Sequence, residues 1–285
     1  MMTYEELKSK YERLAEECNK EASAIFFYLL HISGKSQTEL YLNFRDKVEE
    51  DILNKFENGI KDYLYNNKPI QYLIGFQPFF GHDFICNEQV LIPRFETEEL
   101  VENILYYYDK YFENQKVEVC DIGTGSGCVG ISLALEELNM NLSITDISQE
   151  ALDVAKQNAQ NLGAKVRILQ GDMVKPLVGT KFDIIVSNPP YIPDEEFVED
   201  LVVKNEPNVA LFGGADGLDF YRIIVEDAKL IAKDKFMFAF EHSYMQNKEM
   251  KDIILAKYPK AKIEQVKDLQ GKDRMTFAFI GDFNE

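Results

Sequence analysis

No run of about 18 uncharged apolar residues occurs in this 285-residue chain, so a membrane-spanning helix is not expected. The opening Met1-Met-Thr-Tyr-Glu-Glu has neither the basic nor the apolar region of a secretory signal. Cysteine is scarce. Cys18, Cys86, Cys120 and Cys128 show no paired spacing for a metal, so no metal site is expected and the cytoplasm is the natural compartment. His31, His82 and His242 are too scattered to suggest a catalytic set. Positive charge is also short: 31 Lys and Arg stand against 49 Asp and Glu, a net charge of −18. Most of that deficit lies beyond residue 76, where 21 basic residues face 36 acidic ones. Such a surface is badly suited to gripping a phosphate backbone, and direct nucleic-acid binding is not expected.

What is present is enough apolar residue, 46%, for one large or two smaller cores. Thr3-Tyr-Glu-Glu6 reads as a helix capping box, and Leu7, Tyr11, Leu14, Cys18, Ile25 and Leu29 follow at helical spacing. Ser36-Gln-Thr-Glu39 is a second box, before Leu40, Phe44, Val48 and Ile52, and a further helical stretch runs to about Tyr65. Residues 1–75 are therefore expected to form a small helical bundle. Residues 76–95 change character: Phe79–Ile85 and Gln89–Ile92 suggest the two strands of a β-hairpin linker. Thr97 looks like the N-cap of a helix reaching about Phe112, at the start of a catalytic domain spanning residues 96–285. From there, strands near 117–122, 142–146, 166–170, 182–187 and 236–241 alternate with helices, which predicts an α/β, doubly wound, mostly parallel sheet. Lys262–Lys267 and Met275–Ile280 are joined by too few residues for a helical crossover and should pair antiparallel.

Two motifs in this order carry chemistry. Gly123-Thr-Gly-Ser-Gly127 follows the strand Val117–Ile122 and precedes a helix, which leaves bare backbone N–H groups open to a ligand. Asp146 closes the next strand, where a carboxylate can take both hydroxyls of a ribose. Asp172 and Met173 close the third, placed to meet an adenine edge and face; helix capping would also explain an acid at either strand end. Asn188-Pro189-Pro190-Tyr191 ends the fourth. Two prolines stop the strand with its last carbonyls exposed, the asparagine offers a side-chain acceptor, and the tyrosine a flat ring. That set can hold a neutral, planar –NH2 group, as an enzyme alkylating an amide or amino nitrogen requires. Glycines 125, 127 and 130 also satisfy the dinucleotide pattern, but no hydride-transfer constellation accompanies them, and S-adenosylmethionine fits better.

Pro69-Ile-Gln-Tyr-Leu-Ile-Gly75, Val90-Leu-Ile-Pro-Arg94 with Glu96-Thr-Glu98, Asp121-Ile-Gly-Thr-Gly-Ser-Gly127, Asn188-Pro-Pro-Tyr-Ile-Pro193, Glu206-Pro207 and Gly213-Gly214 stand in sequence along nearly the whole chain. Together they resemble the PrmC/HemK family, the glutamine N5-methyltransferases of class I peptide-chain release factors. The resemblance implies a class I S-adenosylmethionine-dependent methyltransferase sheet and S-adenosylhomocysteine as product. It implies a monomeric, cytoplasmic enzyme of translation termination whose partner is a release factor presenting a Gly-Gly-Gln loop. It places Gly123, Thr124, Gly125, Ser126 and Gly127 around the methionine and ribose of the donor, Asp146 on the ribose and Met173 under the adenine. Asn188, Pro189, Pro190 and Tyr191 match the glutamine pocket, and Arg94, Glu96 and Thr97 the segment by which the linker reaches it. Asn-Pro-Pro-Tyr is shared with adenine-N6 methyltransferases, the rival reading within enzymes; a donor-binding scaffold without activity is the rival outside them. The chain departs from the family pattern at Phe95, Met173 and Ser243.

Overall fold

Strand alternation sorts the second part of the chain into two apolar layers around one sheet. In the computed structural model, which describes residues 2–197 and 205–283, this sheet has seven strands in the order β5-β4-β3-β6-β7-β9-β8. They are β3 (Val117–Ile122), β4 (Met140–Asp146), β5 (Val166–Gln170), β6 (Phe182–Ser187), β7 (Ala232–Glu241), β8 (Lys262–Lys267) and β9 (Asp273–Ile280). Neighbours from β5 through β7 are parallel, while β9 runs antiparallel to both β7 and β8, as the short connection demanded. Successive side chains point to opposite faces. Val119, Ile184, Val186, Met237, Ala239, Phe277 and Phe279 face helices α6 (Phe95–Phe112), α7 (Cys128–Glu136) and α8 (Gln149–Leu162). Cys120, Ile122, Ile185, Phe236, Phe238 and Phe240 face α9 (Asp219–Ile231) and α10 (Asn247–Lys257). Strand order reverses between β3 and β6, so their carboxyl ends open the crevice where ligands of such sheets bind.

The hairpin is shifted from its expected place. β1 (Phe76–Phe79) and β2 (His82–Ile85) flank Phe80-Gly81, both at positive φ (49° and 76°), while residues 89–92 form no strand. A two-residue turn with both φ positive matches the twist of paired strands, so the pairing closes there instead of around the longer Cys86–Glu88 stretch. Helix α6 also begins earlier than expected, with Arg94 at the N-cap position, and Thr97 is its third residue, with its side chain buried.

The chain divides into two units, the first built from residues up to Phe76 and a return of the chain at Asn205, whose Nδ2 donates to the Asn67 carbonyl at 2.8 Å. It contains α1 (Tyr4–Glu17), α2 (Ser23–Ser33), α3 (Gln37–Leu42), α4 (Glu50–Tyr65) and α5 (Ile70–Ile74). Both capping boxes are formed. Leu7, Tyr11, Ile25, Leu29, Leu40, Phe56 and Ile60 make the core. The apolar spacing from Leu7 to Leu29 is carried by two helices, not one. The second box opens only the six residues of α3, because the chain then pairs with the amino terminus: Val48 N donates to Met2 O and Tyr4 N to Asp46 O. Tertiary backbone bonds replace helical ones at that point.

Candidate active site

The turn after β3 is held by two carboxylates. Asp121 is almost fully buried; its Oδ2 accepts from Thr124 Oγ1 (2.6 Å) and Gly130 N (3.1 Å), riveting the turn to the first turn of α7. Burial pushes its carboxyl up to about 6, against the pull of those two donors. Asp146, at the end of β4, accepts from Gly125 N (2.9 Å) and Ser148 N (3.0 Å), and burial raises its carboxyl too. Gly123 and Gly125 are at φ 72° and 55° with open space where a Cβ would stand, so backbone conformation selects glycine there. At Gly127 the reason is contact as well: a Cβ would lie 2.6 Å from Ile131 Cδ1.

A cavity of about 630 Å³ opens over this turn. Of the residues expected at a site, Arg94, Thr97, Gly123, Thr124, Gly125, Ser126, Asp146, Asp172, Met173, Asn188 and Pro190 line it. Gly127, Glu96, Pro189 and Tyr191 do not. Backbone N–H groups of the glycine turn and the carboxylates of Asp146 and Asp172 give the cavity the polar points a nucleoside-sized ligand needs. Two of the roughly four acceptor sites of the Asp146 carboxylate are used by backbone N–H groups, and the rest suit a pair of vicinal hydroxyls. Asp172 is half-exposed and paired with Lys175 Nζ at 2.5 Å, while Met173 holds a positive φ of 49° at the cavity wall.

At the other end, Asn188 follows directly on β6. Its Nδ2 donates to Thr97 Oγ1 at 3.2 Å, and among the described residues its Oδ1 has no partner. The loop behind it is braced by a second loop. Ile192 N donates to Leu211 O and Gly213 N to Ile192 O, while Gln246 Nε2 bridges the carbonyls of Tyr191 (2.9 Å) and Asp216 (3.0 Å). The two chains approach so closely that a Cβ on Gly213 would stand 2.4 Å from Pro190 O, and one on Gly217, 2.1 Å from Tyr191 O. Tyr191 packs on the cluster that includes Tyr221 and Phe240, and burial pushes its hydroxyl up to about 12. Arg94 is not a solvated linker cation: its Nη2 meets the buried Glu206 at 2.6 Å, and Glu206 also accepts from Ile92 N (3.3 Å). Glu96 lies in a neighbouring cleft, with Gln270 Nε2 3.4 Å away.

Sequence reading gave no role to four residues that build the site. Asp121 was visible only as the first letter of the glycine motif. Asn158, on the buried face of α8, donates to Ser126 O (2.9 Å) and Ile85 O (3.1 Å) and accepts from Ile85 N (2.7 Å), tying hairpin to glycine turn. Its signal is a polar side chain in the apolar series Leu152, Ala155, Ala159. Glu241 closes the apolar run of β7 and is buried beside Thr97 and Asn188. Gln246 carries no local signal at all.

Residues 7–75 match the family described as the PrmC N-terminal domain, and residues 105–207 the methyltransferase small domain. A release factor glutamine methyltransferase of Bacillus cereus is 41% identical over 98% of this chain and 99% of its own length. That of Bacillus subtilis is 43% identical over 93% of each chain. This chain belongs to the release factor glutamine methyltransferase family. Solved structures agree on the sheet. A methyltransferase from Pyrococcus furiosus superposes with a TM-score of 0.53 at 19% identity, over 71% of this chain and 91% of that one. A T. thermophilus 16S rRNA N2 G1207 methyltransferase, solved with AdoMet and guanosine, gives 0.51 at 14% identity, over 73% of this chain and 49% of that one. At such identities the likeness is one of fold, that of a methyltransferase. Among the described residues no helix is long and apolar enough to cross a membrane.

Proposed function

We propose that this family member transfers a methyl group from S-adenosylmethionine to the side-chain amide nitrogen of the glutamine in the Gly-Gly-Gln motif of class I peptide-chain release factors. The observation that carries this reading is the state of Asn188. Its NH2 group is already engaged with Thr97, which leaves an acceptor oxygen on a residue lining the same cavity as Asp146 and the glycine turn.

Gly123, Thr124, Gly125, Ser126 and Asp146 would hold the methionine and ribose parts of the donor, and Asp172 and Met173 the adenine. Bound there, the sulfonium supplies a methyl group already activated for transfer. The remaining work is orientation of a poor nucleophile, because an amide lone pair is delocalised into its carbonyl. Asn188 Oδ1 and the Pro189 carbonyl accept the two hydrogens of the glutamine amide. Those bonds favour a pyramidal nitrogen, whose lone pair is available for attack, over the planar ground state. The nitrogen–carbon bond forms as the carbon–sulfur bond breaks. The alkylated nitrogen then gives its acidic proton to water, so no general base is needed.

Residues 1–75 are assigned to recognition of the folded release factor, 76–95 to a linker and 96–285 to catalysis. The family match over residues 7–75 supports the first of these. The substrate is cytoplasmic, and among the described residues none of Cys18, Cys86, Cys120 and Cys128 is in a disulfide, in keeping with a reducing compartment. A monomer suffices, since every residue invoked comes from one chain. Incubation with methyl-labelled S-adenosylmethionine and a purified release factor tests the reading. Label is expected in the wild-type factor and not in its Gln→Ala loop variant. Equal label in both, or label only in added nucleic acid, rejects it.

A further inference from the structure

We infer that Glu241 is a positioning residue: acting through Thr97, it fixes which end of the Asn188 amide is presented to substrate. The inference rests on the reading of Asn188 given above. β6 and β7 are parallel neighbours with Ser187 opposite Phe240, so the next residues, Asn188 and Glu241, stand side by side at the carboxyl end of the sheet. Thr97 reaches the same point from the first turn of α6. Glu241 and Thr97 are 2% and 3% exposed, so water does not compete for their hydrogen bonds.

The polarity of the chain of bonds follows from what each group is able to do. An ionised carboxylate only accepts. Thr97 Oγ1 accepts from Asn188 Nδ2, 3.2 Å away, and the hydroxyl's own proton is left for Glu241, whose buried carboxylate lies beside Thr97 and Asn188. That bond, with a carboxylate next to the amide, demands that the NH2 group point inward. A terminal amide is nearly symmetric in shape, and nothing but such partners distinguishes its two ends. Were it reversed, Asn188 would offer donors to a substrate –NH2 that has only hydrogens to give.

The arrangement is costly for the fold, which argues against a purely structural role. Glu241 Oε2 makes no hydrogen bond with any described residue, and an unsatisfied buried oxygen of this kind calls for a reason. Around it lie the guanidinium of Arg274 on β9, the carboxylate of Glu96 on α6, and the neutral hydroxyls of Tyr191 and Tyr221. Cys128 on α7, also within its field, is a neutral thiol. Burial outweighs Arg274 and pushes the Glu241 carboxyl up to about 7. Ionisation, and with it the locked amide, is thus gained as pH rises through neutrality.

The test compares wild type with Glu241→Gln on a purified release factor. Turnover at saturating donor is expected to fall about 10–100-fold, the range for lost outer partners of an active group. Calorimetric affinity for S-adenosylmethionine should stay within about twofold. Wild-type kcat should rise between about pH 6 and 8, and that of Glu241→Gln should be flat. Asn188→Asp sets two carboxylates side by side and should be nearly inactive; adding Glu241→Gln should recover at least about tenfold of that loss, because the new amide donates where Asn188 did. Thr97→Ser should retain turnover and Thr97→Val should lose it, which covers a Glu241 variant that fails to bind donor. A Glu241→Gln enzyme that binds donor and turns over within about twofold of wild type, or a double variant no better than Asn188→Asp, overturns the inference. A wild-type enzyme that leaves the release factor unlabelled fails the reading of function instead.

Discussion

The two ends of the cavity are built on different principles. The donor end is made largely from neighbours in sequence: Asp121 meets Thr124 and Gly130, Asp146 to Gly125 joins consecutive strands, and Asn158 on α8 braces Ser126. The acceptor end is made from strangers. Asn188 is oriented by Thr97, 91 residues away, and its loop is braced by Gly213, Gly217 and Gln246. A site that binds a constant small molecule needs only a turn with its N–H groups exposed, which short motifs specify. A site that must fix the orientation of one polar group needs partners on several elements, and the sheet's switch point brings them together.

The largest effect should come from the acceptor end. Asn188→Ala removes one oriented contact made chiefly in the transition state, which by analogy with an oxyanion donor costs about 10²–10³ in kcat. Donor affinity should be unchanged. Near-wild-type turnover at saturating donor would mean that the two ends do not divide labour in this way. Asp146→Ala should do the reverse. Charged hydrogen bonds are worth about 1.5–3 kcal/mol each. Losing the pair to a ribose should raise the donor Kd by at least about tenfold, with kcat at saturation much less affected. Unchanged calorimetric binding would remove Asp146 from the donor site.

The same division governs what could be read from the amino acids. The sheet, its antiparallel finish and the glycine turn were legible because period-two strands and a βα turn are local patterns. Asn-Pro-Pro-Tyr was legible as a strand stop with spare acceptors. Thr97 was read as a helix cap, since threonine before Glu98 and an apolar run fits that role. In the fold its hydroxyl accepts from Asn188 instead, beside the buried Glu241, a demand that exists only once α6, β6 and β7 are assembled. Arg94 was assigned to the segment that reaches the site, but its buried partner Glu206, 112 positions away, could not be read from the chain. The hairpin slipped because Phe80-Gly81 offered a tighter turn than the apolar residues on either side advertised.

Tyr191 sets the smallest expectation and is the sharpest probe of where the acceptor end stops. The family pattern places it against the substrate amide, yet here its side chain packs on the α9 side of the sheet and is absent from the cavity lining. Its hydroxyl, pushed up to about 12 by burial, stays protonated across any working pH. It therefore contributes no titration to turnover. If Tyr191 acts by its ring alone, Tyr191→Phe should keep kcat within about twofold, because the apolar packing is retained. Tyr191→Ala should cost more, through a cavity in the packing behind Pro189 and Pro190. A Phe variant as impaired as the Ala variant would instead assign the hydroxyl to the Glu241 and Arg274 charges around it, and extend the oriented polar set one residue beyond Asn188.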